Sequence, residues 1–375
     1  MGKKLAELKI SKSFEDLIIE IHEKGLCGEC GGCVSFCSAG EIKAIEMSES
    51  GPPKYVNEDK CRKCGICYYV CPQTHVLNDQ LDSKFQYEPP IGNKIKIASG
   101  HASSEEIRAK ATDGGVVTAI LNYLLDHKLI DGAIVSKRHG PFNRIPFLAT
   151  TKEELKEAAG SHFDLSKQVV GLEKYNTFIG MNVELKKVTS PELLNIAVVG
   201  TPCQINSIRK MQELSIIPAH IVKYTLGLFC YLNFSFNDED RKRLEEKHGF
   251  SFNDVESMNI REDLILNLKD KGTLNIDFSD LNELGRSACY ACPDFSNVYA
   301  DISFGGLGSQ DGYTTTIIRT KIGEDIYKNA LKEGYIKEPT DLNTSGKKSE
   351  MLDKVTSFSK RKLERCKQTL KERNI

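Results

Sequence analysis

Cys27-Gly-Glu-Cys30-Gly-Gly-Cys33-Val-Ser-Phe-Cys37 and Cys61-Arg-Lys-Cys64-Gly-Ile-Cys67-Tyr-Tyr-Val-Cys71-Pro72 are two copies of one pattern, C-x2-C-x2-C-x3-C. Three cysteines so close together on a tight loop cap three irons of a [4Fe–4S] cubane. Gly28, Gly31, Gly32 and Gly65 let the backbone wrap the cluster. The fourth cysteine of each copy is expected to start a helix that crosses to the other cluster. Cys27, Cys30, Cys33 and Cys71 are therefore assigned to one cluster, and Cys61, Cys64, Cys67 and Cys37 to the other. C-x2-C pairs also suit tetrahedral zinc, but a four-cysteine run repeated twice matches cubane ligation better. The first copy has Ser38 where a proline usually follows, which removes no ligand.

Working outward, eight of the 13 cysteines fall between Cys27 and Cys71, and five come later. The two copies make a small bacterial-type ferredoxin domain, residues 1–88. Glu41–Glu46 is expected to form a short helix and Pro53–Lys60 a strand between the two halves. Asp79–Asn93, polar and bearing Pro89-Pro90, reads as a linker. The N-terminus has basic residues without an apolar stretch behind them, so it is not a secretory signal. The longest apolar run, Ile221–Phe236, is short for a bilayer and carries Lys223, so no transmembrane segment is expected. The expected place is cytoplasmic, at most peripheral to a membrane complex. With 51 Lys+Arg against 52 Asp+Glu, no global field draws the chain to nucleic acid, and no aromatic-rich basic motif appears.

Residues 89–345 alternate between strand and helix signals. Lys94–Ser99 and Gly132–Ser136 read as strands, Gly115–Leu125 as a helix, and Thr151 with Glu154 as a capping box. Asn195–Gly200 is the strongest signal for a buried parallel strand. The fold class is therefore an α/β (α+β) domain behind the ferredoxin unit. No G-x-G-x-x-G follows a strand, so a standard dinucleotide site is not supported. Cys203 follows the Asn195–Gly200 strand, Cys230 ends the run Leu226-Gly-Leu-Phe-Cys230, and Cys289 and Cys292 form a late C-x2-C. Four is the count for a third cubane. Spacing alone leaves this open, because scattered buried cysteines also serve as small hydrophobes.

Thr112-Asp-Gly-Gly-Val-Val-Thr-Ala119, Ile130-Asp-Gly-Ala-Ile-Val135, Gly200-Thr-Pro-Cys-Gln-Ile205, Gly227-Leu-Phe-Cys230 and Cys289-x-x-Cys292-Pro-Asp-Phe-x-x-x-x-Ala-Asp-Ile-Ser-Phe-Gly305 occur in that order. Over residues 94–340 this resembles the family of beta subunits of coenzyme F420-reducing hydrogenases and dehydrogenases. With the ferredoxin unit in front, the layout is most similar to the input subunit of F420H2 dehydrogenase and to the N-terminal half of F420-dependent sulfite reductase. The resemblance implies that Cys203, Cys230, Cys289 and Cys292 ligate a third [4Fe–4S] cluster beside a bound FAD. It also implies that the flavin exchanges hydride with F420, within the redox chemistry of methanogenic archaea. A plant and cyanobacterial branch of the family reduces chlorophyll-type pigments, so the fold does not fix the substrate.

Several positions are candidate cofactor contacts. Thr112, Asp113, Gly114 and Gly115 open a helix where exposed N–H groups favour an anion and glycine permits close approach of a flavin; an ordinary helix cap is the plainer reading. Lys137, Arg138 and His139, after a strand ending at Val135, are placed to hold the FAD pyrophosphate or F420's acidic tail, or are simple surface charge. Thr201 and Pro202 flank Cys203, and Gly305 and Gly306 follow the strand Asp301–Phe304. Gly160-Ser161-His162-Phe163 is similar to a Gly-Ser-Lys-Tyr-type segment of the family. There His162 is the one candidate for catalytic proton donation to the deazaflavin. Arg319 is a candidate phosphate contact.

The tail from Gly346 to Ile375 has ten Lys/Arg and four Asp/Glu, a surplus of six positive charges. Leu352, Val355, Leu363, Cys366 and Leu370 recur at helical spacing, so 346–375 is expected as a basic amphipathic helix. It either caps this chain or docks on an acidic partner or membrane surface; Cys366 is not expected to ligate. The functional expectation is an electron-input subunit that exchanges hydride between F420 and FAD and passes single electrons through [4Fe–4S] clusters to a redox partner subunit or ferredoxin-type acceptor. The competing readings are a ferredoxin-dependent reductase of another substrate, such as a tetrapyrrole, and a wiring subunit without flavin.

Overall fold

The computed structural model describes residues 12–39, 42–49, 51–139, 144–160, 170, 195–216, 218–235, 237–260 and 263–375. Ser161 and His162 lie outside them, so the Gly160–Phe163 expectation is not addressed by the structure. The strands are β1 (Ile45–Glu46), β2 (Lys54–Tyr55), β3 (Lys96–Ala102), β4 (Gly132–Arg138), β5 (Arg144–Ala149), β6 (Ile196–Gly200), β7 (Val222–Leu228), β8 (Val255–Ile260), β9 (Leu264–Leu268), β10 (Gly272–Ile276), β11 (Ile302–Gly305), β12 (Thr314–Ile318) and β13 (Ile336–Lys337). Eight of them form a mixed sheet in the order β13-β3-β12-β11-β7-β6-β4-β5. The neighbours β11-β7-β6-β4 run parallel, and the two flanks are antiparallel.

The continuous apolar reading of β6 has a direct cause, because both faces of the sheet are covered. Ala197 and Val199 join Ala133 and Val135 in a core with Val116, Ile120 and Leu124 of the helix Val116–Asp126. Ile196 and Val198 point the other way with Ile134. There they meet Ile208 and Met211 of the helix Pro202–Glu213, and Ile66, Tyr69 and Val70 from the second cysteine run. The ferredoxin-like part therefore rests on the sheet through its own apolar residues. Roughly 25 cal/mol per Å2 of apolar surface stabilises that seat.

Three local expectations are corrected. Glu41–Glu46 forms no helix among its described residues: Ile45–Glu46 pairs antiparallel with Lys54–Tyr55, with Ile45 turned into the core beside Phe14. Of the fourth cysteines, Cys71 caps the short 3-10 helix Pro72–Thr74, whereas Cys37 does not start a helix. Cys33 and Cys37 both lie within the helix Gly32–Ala39, and Cys71 directly follows the helical turn Ile66–Tyr69 and Val70. In the first copy the x3 spacing is close to one helical turn, so Cys33 and Cys37 lie on one face, offset by about 6 Å along the axis. The expected linker contains the helix Asn78–Phe85, whose Leu81 is fully buried against Ile205, Val298 and Tyr299. That packing outweighs the segment's polar composition.

A second unit is inserted between Cys230 and Cys289. The helix Asp238–His248 and the antiparallel sheet β10-β9-β8 enclose their own core of Leu244, Phe250, Leu264, Leu266 and Ile276. The C-terminal helix runs from Ser345 to Glu372, with Thr344 accepting a bond from the Lys347 N–H as its cap. Its inward stripe is Met351, Val355, Ser359, Lys362 and Cys366. The capping expectation describes how it packs. Among the described residues no helix is long and apolar enough to cross a membrane.

Candidate metal centres and glycine loops

The sheet delivers the late candidates to one edge. Cys203 follows β6, Cys230 follows β7 and Gly306 follows β11, while Lys137 and Arg138 complete β4. This is the carboxyl edge of the parallel strands, where open α/β sheets bind ligands. Thr201 caps the helix that carries Cys203, exchanging bonds with Gln204, and Pro202 occupies the first turn, where no backbone N–H is needed. The Thr201 hydroxyl also lies 3.3 Å from Cys203 Sγ. The backbone N–H of Cys230 bonds to Phe295 O at 2.9 Å, drawing Cys230 toward the Cys289–Cys292 segment.

The thiols fall into three neighbourhoods. Cys33 lies within electrostatic range of Cys30, Cys27 and Cys71, and Cys67 within range of Cys64, Cys61 and Cys37. Cys230 has Cys289, Cys292 and Cys203 around it. The neighbourhoods touch in sequence. Cys203 lies within electrostatic range of Cys30, a methyl group placed on Gly28 would lie 3.8 Å from Cys203 Sγ, and Cys33 lies within electrostatic range of Cys67. At the far end Cys64 is exposed.

These donors suit a polynuclear cluster. Burial pushes the Cys30 thiol up to about 11, and Cys203 and Cys230 up to about 12. Four such sulfurs cannot carry charge together unless cations sit among them, and metal binding displaces their protons. A single zinc would draw four sulfurs to about 3.8 Å from one another, given Zn–S of about 2.3 Å. Among the described residues no three His, Cys, Asp or Glu side chains are arranged to hold one ion.

The surroundings lock the neighbourhoods together. Arg286, three residues before Cys289, donates to Gly28 O at 3.1 Å and pairs with Glu29 in the first cysteine loop. Arg365 of the C-terminal helix donates to Tyr231 O and Cys289 O, and packs over the rings of Tyr231 and Tyr290. Lys362 donates to Cys230 O, and Lys210 donates to Cys71 O at 2.8 Å. Sequence reading missed these four cations. The available signal was their register: Lys362 shares a helical stripe with Val355 and Cys366, and Lys210 lies beside Met211 and one turn after Asn206. Cys366, also buried, donates its S–H to Ala291 O.

The glycine loops also meet. Gly306 packs so closely on Asp113 that an added methyl would come within 2.5 Å of the carboxylate. Gly114 is pinned between β3 and β12, donating to Thr314 Oγ1 at 3.0 Å and accepting from the Ala102 N–H at 2.7 Å. Gly115, at φ +74°, takes the cap position itself, so neither Thr112 nor Asp113 is the helix cap. The space these glycines leave is filled by the chain's own atoms, so their smallness is accounted for by packing. Gly305 likewise faces the Phe229 ring.

The basic candidates are engaged elsewhere. The β4 strand runs to Arg138 rather than stopping at Val135. Lys137 pairs with Glu157 at 2.7 Å over the Phe147 ring, and Arg138 donates to Val255 O and Glu256 O. Arg319 is not available for phosphate. Its three nitrogens make five bonds, to Ser303 Oγ, Ile91 O, Asn93 O, Ser296 O and Ser296 Oγ, which uses the donors a guanidinium has.

Comparison with known proteins agrees with this layout. The family models for the coenzyme F420 hydrogenase/dehydrogenase beta subunit match at residues 97–172 (N-terminal part) and 193–341 (C-terminal part), and a 4Fe-4S binding domain matches at 54–73. The chain is 32% identical over 337 residues to a coenzyme F420-dependent sulfite reductase of Methanocaldococcus jannaschii, covering 86% of this chain and 48% of that protein. It thus spans about half the length of that relative. It is 25% identical over 333 residues to a chain of the F(420)H(2) dehydrogenase of Methanosarcina mazei, covering 86% and 87%. Among solved structures, a chain of the F420-reducing [NiFe] hydrogenase complex from Methanosarcina barkeri superposes with a TM-score of 0.66 at 28% identity, over 76% of this chain and 94% of that one.

Proposed function

We propose a function from one premise: this chain belongs to the family of coenzyme F420 hydrogenase/dehydrogenase beta subunits and carries a 4Fe-4S binding motif. Its relatives include components of F420-linked hydrogenase and dehydrogenase and a sulfite reductase. The reading is that the chain exchanges hydride between F420 and a bound FAD and relays single electrons to a redox partner. A flavin converts a two-electron hydride into single electrons, and cubane clusters carry them one at a time. Cys203, Cys230, Cys289 and Cys292 would hold the cluster at the sheet edge. Cys27, Cys30, Cys33 and Cys71 would hold the middle one, and Cys61, Cys64, Cys67 and Cys37 the outer one.

The observation that carries this reading is the order of the thiol groups. They form a line from the carboxyl edge of the parallel strands, through the Cys203–Cys30 and Cys33–Cys67 junctions, to exposed Cys64. Cys64 at the outer end is exposed, the position that suits exchange with a partner, while Cys203, Cys230, Cys289 and Cys292 at the sheet edge are half-buried. The Arg286–Glu29 pair holds the first junction closed. Thr112–Gly115, Thr201–Pro202, Ser161 and Gly305–Gly306 are the segments proposed to contact flavin, and Lys137 and Arg138 the acidic groups of the cofactors, by residue type and position along the chain. His162, which stands where the family segment has Lys, is proposed as proton donor for its imidazole chemistry.

The test is anaerobic purification of the whole chain with iron, sulfide and flavin counted, followed by addition of F420H2. About twelve irons, one FAD and bleaching of the cluster absorption support the reading. About eight irons without flavin would leave a wire with no F420 chemistry of its own.

A further inference from the structure

Two lysines are sealed inside the molecule, and both are at cysteine groups. Lys210 is 0% exposed and Lys362 is 1% exposed. Neither has a carboxylate within ion-pair distance among the described residues. Lys210 Nζ donates to the carbonyl of Cys71 and lies within electrostatic range of Cys71 and Cys30. Lys362 Nζ donates to the carbonyl of Cys230, with Cys292, Cys230, Cys289 and the Asp294 carboxyl around it. Asp294 is itself buried and takes bonds from the Asn297 and Val298 N–H groups. The two lysines come from different helices, Pro202–Glu213 and Ser345–Glu372, and each lies in its helix's buried stripe.

An ammonium removed from water is costly unless a negative charge lies beside it. One carbonyl bond does not supply that charge. Asp294, the carboxyl near Lys362, makes no ion pair with it and spends its oxygens on the Asn297 and Val298 N–H groups. Protonated thiols do not supply it either. Four thiolates around a cubane do. Such a cluster is negative in both oxidation states and gains one further negative charge on reduction, so a fixed neighbouring cation favours the reduced form.

We propose that Lys362 and Lys210 are the built-in counter-ions of the sheet-edge and middle clusters and raise the reduction potentials of those two relative to the outer one. The proposal rests on the reading that these cysteine groups hold [4Fe–4S] clusters. It assigns both lysines a positioning role: they touch the ligands' backbone and act through charge. The basic C-terminal helix is then more than a lid, because one of its positive charges points inward to a redox centre.

The test uses the whole chain, anaerobically purified, with Lys362→Met, Lys210→Met and the charge-keeping Lys362→Arg. Iron is counted first: a parent chain well short of about twelve irons overturns the functional reading itself. Mediated redox titration followed by electron paramagnetic resonance then reads the potentials. Each Met variant should lower one of three reduction steps by at least tenfold in its equilibrium constant, about 59 mV for a one-electron couple, and leave the outer step in place. Lys362→Arg should return the step to its parent position. Loss of the sheet-edge cluster in Lys362→Met with retention in Lys362→Arg also supports the counter-ion role. Full iron with all three steps unmoved in the Met variants overturns it. So does equal loss of iron in Lys362→Met and Lys362→Arg, which would make shape rather than charge the requirement.

Discussion

Gly114→Ala separates two roles for the glycine loop, spacing for a flavin or packing of the sheet. The new Cβ would lie 2.5 Å from Gly100 O, 2.8 Å from Thr314 N and 3.1 Å from His101 Cα. These are backbone atoms of β3 and β12 that cannot rotate away. A relaxed carbon–oxygen contact is about 3.3 Å, so the loop must retreat by roughly 0.8 Å. That movement strains the Gly114–Thr314 and Ala102–Gly114 bonds, both short in the parent. Overpacking of about 1–3 kcal/mol plus two weakened bonds at about 0.5–1.5 kcal/mol each gives a loss of about 2–6 kcal/mol. The assay is urea unfolding of the flavin-free chain, followed by far-ultraviolet circular dichroism and by tyrosine fluorescence, since the chain has 13 Tyr and no Trp. Gly334→Ala, at φ +77° with nothing within 4 Å, is the control and should cost only about 1–2 kcal/mol for its left-handed backbone. A Gly114→Ala chain that unfolds like the parent yet no longer binds flavin would refute the packing account.

Replacing Cys203 with Ser should remove about four irons while the eight ferredoxin-type ligands keep theirs; rapid mixing with F420H2 should then reduce flavin without reducing the remaining clusters at the parent rate. Arg319→Met should cost roughly 3–5 kcal/mol in thermal unfolding, because the carbonyls of Ile91, Asn93 and Ser296 lose their donor inside the protein. F420 binding per folded molecule should stay unchanged, and a weakened affinity would reinstate Arg319 as a phosphate contact. Arg319→Lys should not rescue stability, since an ammonium has three donors where the site uses five. Burial holds the His22 imidazole down to about 4, beside the Phe14 ring. Its folded value lies below its unfolded value of 6.5, so the unfolded chain binds the proton first. Its contribution is present above pH 6.5 and is lost as pH falls toward 4. A His22→Gln chain should show a flatter acid limb between those values; an identical limb would remove His22 from the account.

The eight early cysteines were legible because their pattern is local: two, two and three residues between ligands specify a loop and a helical turn without reference to the rest of the chain. The same holds for β6, whose unbroken apolar run has few alternatives, and for the amphipathic stripe of the C-terminal helix. The later cysteines were not legible from spacing, since the inserted sheet β10-β9-β8 separates Cys230 from Cys289. They became a candidate set through the resemblance to a family. Asp79–Asn93 was misread because a polar helix with one buried leucine has almost no periodic signal, and its position is set by Val298 and Tyr299, far along the chain. Arg319 looked like an anion contact because a sequence shows a guanidinium but not the five acceptors that use it up. The sequence by itself determined the ligand types and the alternation of strand and helix. Only the tertiary structure decided which thiols adjoin, which cations are sealed among them, and that Gly114 and Gly306 are filled by the chain's own atoms. Spacing governs neighbours along the backbone, whereas burial and charge pairing depend on surfaces that meet only when the sheet and helices close.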